Sequence, residues 1–133
     1  MRVAELMQTD VRTIAPDASI AELVQLLAEA RVSGLPVVDA ARRVVGVVSA
    51  GDVLRAAAEV DEEKARAMLF DQVKVSDLMT PNPHVIAPDA DARDAAKHML
   101  YADVRRLFVE DRERLVGVIS QTDIAHAVGT GRL

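Results

Sequence analysis

The chain contains two copies of one sequence pattern, and this repeat limits the possible folds more than any other feature. Residues 13–18 read TIAPDA and residues 85–90 read VIAPDA, an offset of 72. Residues 45–49 (VGVVS) match residues 116–120 (VGVIS) at an offset of 71. The second copy has therefore lost one residue in the polar stretch that follows Asp39 in the first copy. A hairpin loop tolerates such a loss, whereas the same loss within a strand would turn its side chains to the other face.

The two copies have nearly 60 residues each, and a connector near residues 60–74 separates them. A core of that size is marginal alone, and two copies are too few for a solenoid. We therefore expect the copies to pack together about a pseudo-two-fold axis. The predicted organisation is repeat 1 at 1–60, a helical connector at 61–74 and repeat 2 at 75–133.

Each copy predicts the order β-α-β-β-α, an α/β (α+β) fold. Ser19 and Glu22 form a capping-box pattern before an amphipathic segment. Gly34 is expected to end that helix in a left-handed conformation. The elements predicted for copy one are a short strand at 11–14, a helix at 20–30, strands at 35–38 and 44–49, and a helix beginning at Asp52. The corresponding elements of copy two are a strand at 84–86, a helix at 92–102, strands at 107–110 and 115–120, and a helix beginning at Asp123.

The segments TIAPDASI, RVSGLPVVD and GVVSAGDVL, in this order and repeated, resemble the CBS domain. The pair resembles a CBS tandem, or Bateman module, over almost the whole chain. The resemblance implies a stand-alone regulatory protein. It also implies adenosine-type ligands (AMP, ADP, ATP, S-adenosylmethionine or NAD) in the cleft between the repeats, with no obligatory cofactor. Separately, the sequence has no G-x-S-x-G elbow, no G-x-x-x-x-G-K-[ST] loop and no general acid–base pair, so no enzymatic activity is expected.

Each repeat has a Ser-x-x-Asp element where a strand meets a helix: Ser49 with Asp52, and Ser120 with Asp123. A carboxylate at such a junction can accept hydrogen bonds from both hydroxyls of a ribose, and helix N–H groups favour phosphate. The resemblance assigns the ribose to Asp52 and Asp123. The structural alternative is an ordinary helix N-cap, which contributes about 1 kcal/mol.

The resemblance also shares each site between the two repeats. The site expected first contains Ser49, Asp52, Thr80, Val104, Arg105 and Arg106. The second contains Gln8, Val11, Arg12, Val32, Ser33, Ser120 and Asp123. Arg105 and Arg106 could bind phosphate through their guanidinium groups, or could be surface charges paired with neighbouring carboxylates.

Composition excludes several classes of function. Without cysteine there is no thiolate metal site or thiol nucleophile. The acidic cluster Asp89, Asp91 and Asp94 lacks the pattern of a calcium loop, and Asp91 aligns with the cap Ser19, so no metal is expected. A net charge of −5 and 2% aromatic residues argue against nucleic-acid binding. No segment approaches a membrane span and the N-terminus lacks a secretory signal, so a cytoplasmic protein is expected.

Two functions remain open on the sequence. The first is a ligand sensor whose conformational change is read by an unidentified protein target. The second is a structural homodimerisation module with unoccupied pockets. The resemblance implies a homodimer in either case, formed through helical faces, and the segments 54–58 (LRAAA) and 124–128 (IAHAV) suit such close helix packing.

Overall fold

The computed structural model describes residues 1–60 and 62–133, which form two compact units. One unit is Arg12–Asn82, and the other combines Met1–Val11 with Pro83–Leu133. Asp61, the first residue of the predicted connector, lies outside the described residues. The units differ from the sequence repeats in one respect: each repeat contributes its first few residues to the unit that contains most of the other repeat.

The 12–82 unit consists of helices and a three-stranded sheet. In chain order its elements are α1 (Ile20–Ala30), β1 (Gly34–Val38), β2 (Val44–Ser49), α2 (Ala50–Ala58), α3 (Glu63–Gln72), α4 (Val75–Leu78) and β3 (Thr80–Pro81). The strand order is β1-β2-β3, and both pairings are antiparallel. Val47 of β2 lies opposite Thr80 of β3, which brings the start of the second repeat beside the first repeat's strand.

The other unit repeats this plan with segments exchanged. Its elements are a 3-10 turn (Val3–Glu5), β4 (Val85–Ile86), α5 (Ala92–Ala102), β5 (Arg106–Asp111), β6 (Arg114–Ser120) and α6 (Gln121–Gly129). β4 pairs with β5 in parallel, and β5 pairs with β6 antiparallel. Gln8 forms an antiparallel bridge with Val118 of β6, in the position that Thr80 has in the first unit.

Each unit has its own core of aliphatic side chains. The core of the 12–82 unit includes Ile20, Leu23, Val37, Val48 and Val75, all fully buried. The core of the other unit includes Val3, Met99, Leu107, Val109 and Ile119, also fully buried. Val3 joins this core although it belongs to the first repeat in sequence, because Val3 N–H donates to the Ala90 carbonyl at 2.8 Å.

The helices at 20–30 and 92–102 and the strand at 44–49 are confirmed with the predicted bounds. Their ends carry the expected caps: Ser19 Oγ accepts a hydrogen bond from Glu22 N–H at 3.1 Å, and Asp91 accepts one from Arg93 N–H at 2.8 Å. The predicted connector helix is present as α3. The remaining predicted strands of both hairpins are present, with ends shifted by one residue.

Three local predictions are wrong. No strand forms over 11–14: only Ile14 makes a parallel bridge, to Val37, where the second copy forms the two-residue strand β4. Gly34 does not end α1, because Arg31 takes the left-handed conformation (φ 54°) and Gly34 already belongs to β1. Asp52 and Asp123 do not begin their helices, which start two residues earlier.

A glycine inside each long strand allows another segment to approach closely. A Cβ on Gly46 would lie 2.6 Å from Met79 Sδ and 2.9 Å from the Thr80 carbonyl oxygen. A Cβ on Gly117 would lie 2.7 Å from Met7 Sδ and 2.8 Å from the Gln8 carbonyl oxygen. Both strands therefore need glycine for the exchanged segment to pair beside them.

Candidate functional site

Asp52 lies in the first turn of α2 and is fixed by a capping box. Ser49 is the N-cap: its Oγ accepts a hydrogen bond from Asp52 N–H at 3.3 Å. In return, Asp52 Oδ2 accepts bonds from Ser49 N–H at 2.8 Å and from Ser49 Oγ–H at 3.1 Å. The other carboxylate oxygen, Oδ1, is bound by the guanidinium of Arg55. The Asp52 side chain is only 12% exposed.

Asp123 occupies the same place at the start of α6, with a different second partner. Ser120 Oγ accepts from Asp123 N–H at 3.1 Å, and Asp123 Oδ2 accepts from Ser120 N–H at 2.9 Å. Asp123 Oδ1 accepts from Gln8 Nε2 at 3.2 Å, so its partner is a neutral amide. The N-cap alternative and the proposed ribose role therefore concern different oxygens of the same carboxylate.

The number of free acceptor positions differs between the two carboxylates. An ionised carboxylate offers about four lone-pair positions. Ser49 N–H, Ser49 Oγ–H and Arg55 use three positions on Asp52, whereas Ser120 N–H and Gln8 use two on Asp123. The two hydroxyls of a vicinal diol need two free positions. Asp123 has two free positions and can bind a diol without change, whereas Asp52 has one and must first release a partner.

The segment that enters each middle strand is tied to this junction. Ala50 N–H donates to the Ser33 carbonyl at 2.8 Å, and Gln121 N–H donates to the Arg105 carbonyl at 2.9 Å. Gln121 Nε2 also donates to the Val104 carbonyl at 3.1 Å. Within each unit the backbone of this entry segment therefore lies beside the Ser-x-x-Asp element.

The residues predicted for the two sites are divided between the units. The 12–82 unit contains Ser49, Asp52, Thr80, Arg12, Val32 and Ser33; the other contains Ser120, Asp123, Gln8, Val11, Val104, Arg105 and Arg106. Within the first unit, Thr80 lies beside β2 and Ser33 beside α2; within the second, Gln8 contacts Asp123 directly. The sharing of each site between repeats stays a prediction from the family resemblance.

Arg105 and Arg106 are both exposed. In the described ranges, 1–60 and 62–133, no ion pair involves either guanidinium, and their pairing with phosphate or with neighbouring carboxylates stays a prediction.

A cleft of about 290 Å³ adjoins Asp123, and sequence analysis did not identify most of its lining. Its polar side chains are Glu5, Gln8, Thr122, Asp123, His126 and Arg132. Thr122 and His126 flank Asp123 in sequence and could have been found from helix spacing. Glu5 and Arg132 are distant in sequence, and no motif marks them.

The histidines and carboxylates give no metal centre of three ligands within the described part of the chain. His84 is exposed, and its Nδ1 lies 3.2 Å from Nε2 of His98. No helix among the described residues has the length and apolarity required to cross a membrane.

The family model for the CBS domain matches residues 3–59 and 75–130, so the chain belongs to the CBS domain family as a tandem pair. It is 30% identical to CBS domain-containing protein CBSX1 of Arabidopsis thaliana, over 94% of this chain and 63% of that protein. It is also 32% identical to inosine-5'-monophosphate dehydrogenase of Methanocaldococcus jannaschii, over 90% of this chain but only 22% of that enzyme. The chain thus spans less than two thirds of either relative.

Solved structures have the same fold. CBSX2 in complex with AMP superposes with a TM-score of 0.80 at 31% identity, over 99% of this chain and 98% of that one. The CBS domain pair of protein MJ0100, in complex with 5'-methylthioadenosine and S-adenosyl-L-methionine, has a TM-score of 0.79 at 22% identity, over 98% of each chain. These neighbours confirm the tandem CBS fold.

Proposed function

We propose that this protein is a regulatory module that binds an adenosine-type nucleotide and holds its ribose diol on Asp52 or Asp123. The observation that carries the proposal is the state of these carboxylates. Each is fixed at a strand-to-helix junction by one oxygen, and Oδ1 faces only an exchangeable side chain, Arg55 or Gln8. A pre-positioned carboxylate of this kind suits a diol, as in other ribose sites.

The similarity to CBSX2 supports the ligand class. That protein was crystallised with AMP, and it is 31% identical to this chain over nearly the full length of both. Adenine nucleotides are therefore the first ligands to test, with S-adenosylmethionine and NAD next.

Arg105 and Arg106 are proposed as phosphate ligands of the Asp52 site, with Thr80 and Val104 completing it. Their exposure and lack of ion pairs in the described ranges support this role. Guanidinium groups bind phosphate oxygens in a forked, charge-assisted geometry. For the Asp123 site the corresponding proposal includes Gln8, Val11, Arg12, Val32 and Ser33.

Regulation would follow from a shift between conformations that differ in ligand affinity, because a ligand can bias an equilibrium only through such a difference. We propose that a separate protein target responds to the shift, and that the chain has no catalytic activity of its own. The relative that is a dehydrogenase is far longer than the matched region, which supports a non-catalytic role for that region. The cytoplasm is the proposed compartment.

Thermal unfolding with and without AMP tests the proposal. A ligand at 100 times its dissociation constant adds about 2.7 kcal/mol of stability, which raises the midpoint by several degrees. We expect Asp52→Asn and Asp123→Asn to reduce this rise. Asparagine keeps one oxygen to accept the capping N–H, but its NH₂ group cannot accept a ribose hydroxyl.

Two caps outside the proposed sites provide matched controls. Asp77 accepts from Lys74 N–H at 3.0 Å, so Asp77→Asn alters the same N3 contact of a capping box as the two site substitutions. Asp91 is itself an N-cap and accepts from Arg93 N–H at 2.8 Å, so Asp91→Asn controls for the loss of a capping carboxylate in general. These variants should keep the full response to AMP. If no adenine nucleotide, S-adenosylmethionine or NAD moves the midpoint at millimolar concentration, the proposed function is wrong.

The second candidate function is homodimerisation, and exposed apolar side chains on α5 and α6 favour it. Leu100 is 73% exposed and Tyr101 95%, and Val128 on α6 is 58% exposed. An apolar groove of about 250 Å³ runs between the two helices, lined by Ala96, Met99, Leu100, Ile124 and Ala125 with Gln121. Such a surface is typical of a protein interface. A dimer that forms without any nucleotide response would favour this candidate over the sensor.

A further inference from the structure

The two Ser-x-x-Asp elements hold their carboxylates with partners of different charge. Arg55 binds Asp52 Oδ1, the oxygen that the proposed ribose contact needs, whereas a neutral amide, that of Gln8, binds Asp123 Oδ1. The arginine is 71% exposed and the carboxylate 12% exposed, so the arginine can leave without disturbing the core. The cap itself does not depend on Arg55, because Asp52 Oδ2 makes both bonds to Ser49.

Only the first repeat has an arginine positioned to bind the carboxylate of its Ser-x-x-Asp element. Arg55 Nη1 lies 3.4 Å from the point that a Cβ on Gly51 would occupy, so the guanidinium lies along the start of α2. At the offset of 71, Thr122 stands in place of Gly51 and His126 in place of Arg55. The second repeat therefore lacks both the arginine and the glycine beside it.

We propose that Arg55 is a specificity-determining residue of the Asp52 site, selecting adenosine ligands whose 5' group is an anion. This inference rests on the proposed function. Because three of about four acceptor positions on Asp52 are occupied, a ribose diol must displace one partner, and the exposed Arg55 is the partner whose loss leaves both bonds to Ser49 intact. An uncharged nucleoside gives the released guanidinium no new partner. A ligand phosphate gives it a charge-assisted, forked one.

Binding of AMP and of adenosine, measured by calorimetry in an Asp123→Asn background, tests the inference at the Asp52 site alone. Exposed ion pairs are weak, so Arg55→Met should raise the affinity for adenosine by about two- to fivefold. Loss of a charge-assisted phosphate contact should lower the affinity for AMP by about tenfold. The ratio of AMP to adenosine affinity should therefore fall more than about tenfold, and Arg55→Lys should retain part of it.

Lys64→Met is the matched control, because it removes the same charge from α3 of the same unit. We expect it to leave the affinity ratio unchanged, which separates a local contact from the effect of net charge. The inference is overturned if Arg55→Met leaves the ratio of AMP to adenosine affinity equal to that of the parent. It is also overturned if Asp123→Asn alone abolishes AMP binding, because the Asp52 site then binds no AMP. If AMP fails to bind even the unmodified protein, the proposed function falls as well; Asp52-dependent binding with an unchanged ratio removes this inference alone.

Discussion

At the scale of single residues, Gly46 and Gly117 show how a small difference in side chain decides the pairing of a whole segment. Each lies in the middle of a strand that contributes to a core, where glycine ordinarily weakens a sheet. The reason for glycine is the methionine and the carbonyl that approach from the exchanged segment, Met79 and Thr80 in one unit. The sequence shows that both glycines are repeated, but the approaching segment is visible only in the structure.

Gly46→Ala is expected to destabilise the fold by about 1–3 kcal/mol, because its Cβ would overlap Met79 Sδ and the Thr80 carbonyl. The methionine can move, but the carbonyl belongs to a paired strand. Urea denaturation followed by circular dichroism measures the change.

Gly129→Ala is the control for that measurement, because a Cβ at this helical position meets nothing within 4 Å. Alanine favours a helix over glycine, so we expect an unchanged or slightly higher urea midpoint. Equal losses from both substitutions would contradict the packing explanation for Gly46.

At the scale of elements, helices were predictable where apolar spacing and a cap agreed. The bounds of α1 and α5 follow from periodicity together with Ser19 and Asp91. The ends without such agreement were not predictable. Gly34 is a plausible helix end, yet the left-handed residue is Arg31, and Asp103 takes that conformation in the second copy. The N-cap of α2 is Ser49, and Asp52 is the third helical residue. The two form a capping box, in which both side chains bond to backbone N–H groups, so the sequence alone does not show which of them precedes the helix.

The exposed face of α5 leads to a prediction about assembly. If this face is the proposed dimer interface, Leu100→Glu should shift the mass in solution from about twice 14.4 kDa toward 14.4 kDa, because a carboxylate would have to be buried without a partner. Light scattering after size-exclusion chromatography, at several concentrations, measures this shift.

Met68→Glu places the same charge on α3, at a side chain that is 54% exposed, and should leave the mass unchanged. A protein that is monomeric before any substitution, or a dimer that Leu100→Glu does not weaken, would contradict an interface on α5.

At the scale of the whole molecule, the repeat predicted two similar folding units but not which segment completes which sheet. Gln8 and Thr80 are equivalent in sequence, and each could in principle pair with the strand of its own repeat. In the structure Gln8 bridges Val118 and Thr80 lies opposite Val47, so each unit is completed by the other repeat. A periodic sequence contains no information on this choice, since both pairings satisfy the same pattern.

The same limit applies to the candidate site. The motif was enough to find Ser49, Asp52, Ser120 and Asp123, because their spacing is local. Their different partners, Arg55 and Gln8, could not be predicted, since one depends on a side-chain rotamer and the other on the exchanged segment.

A crystal structure of the protein with saturating AMP decides whether the two carboxylates bind a nucleotide, because it locates the ribose. We expect both ribose hydroxyls within hydrogen-bond distance of the Asp52 or Asp123 carboxylate, with the Ser49 or Ser120 cap intact. AMP bound elsewhere, with both carboxylates still held only by the partners they have now, would contradict this expectation.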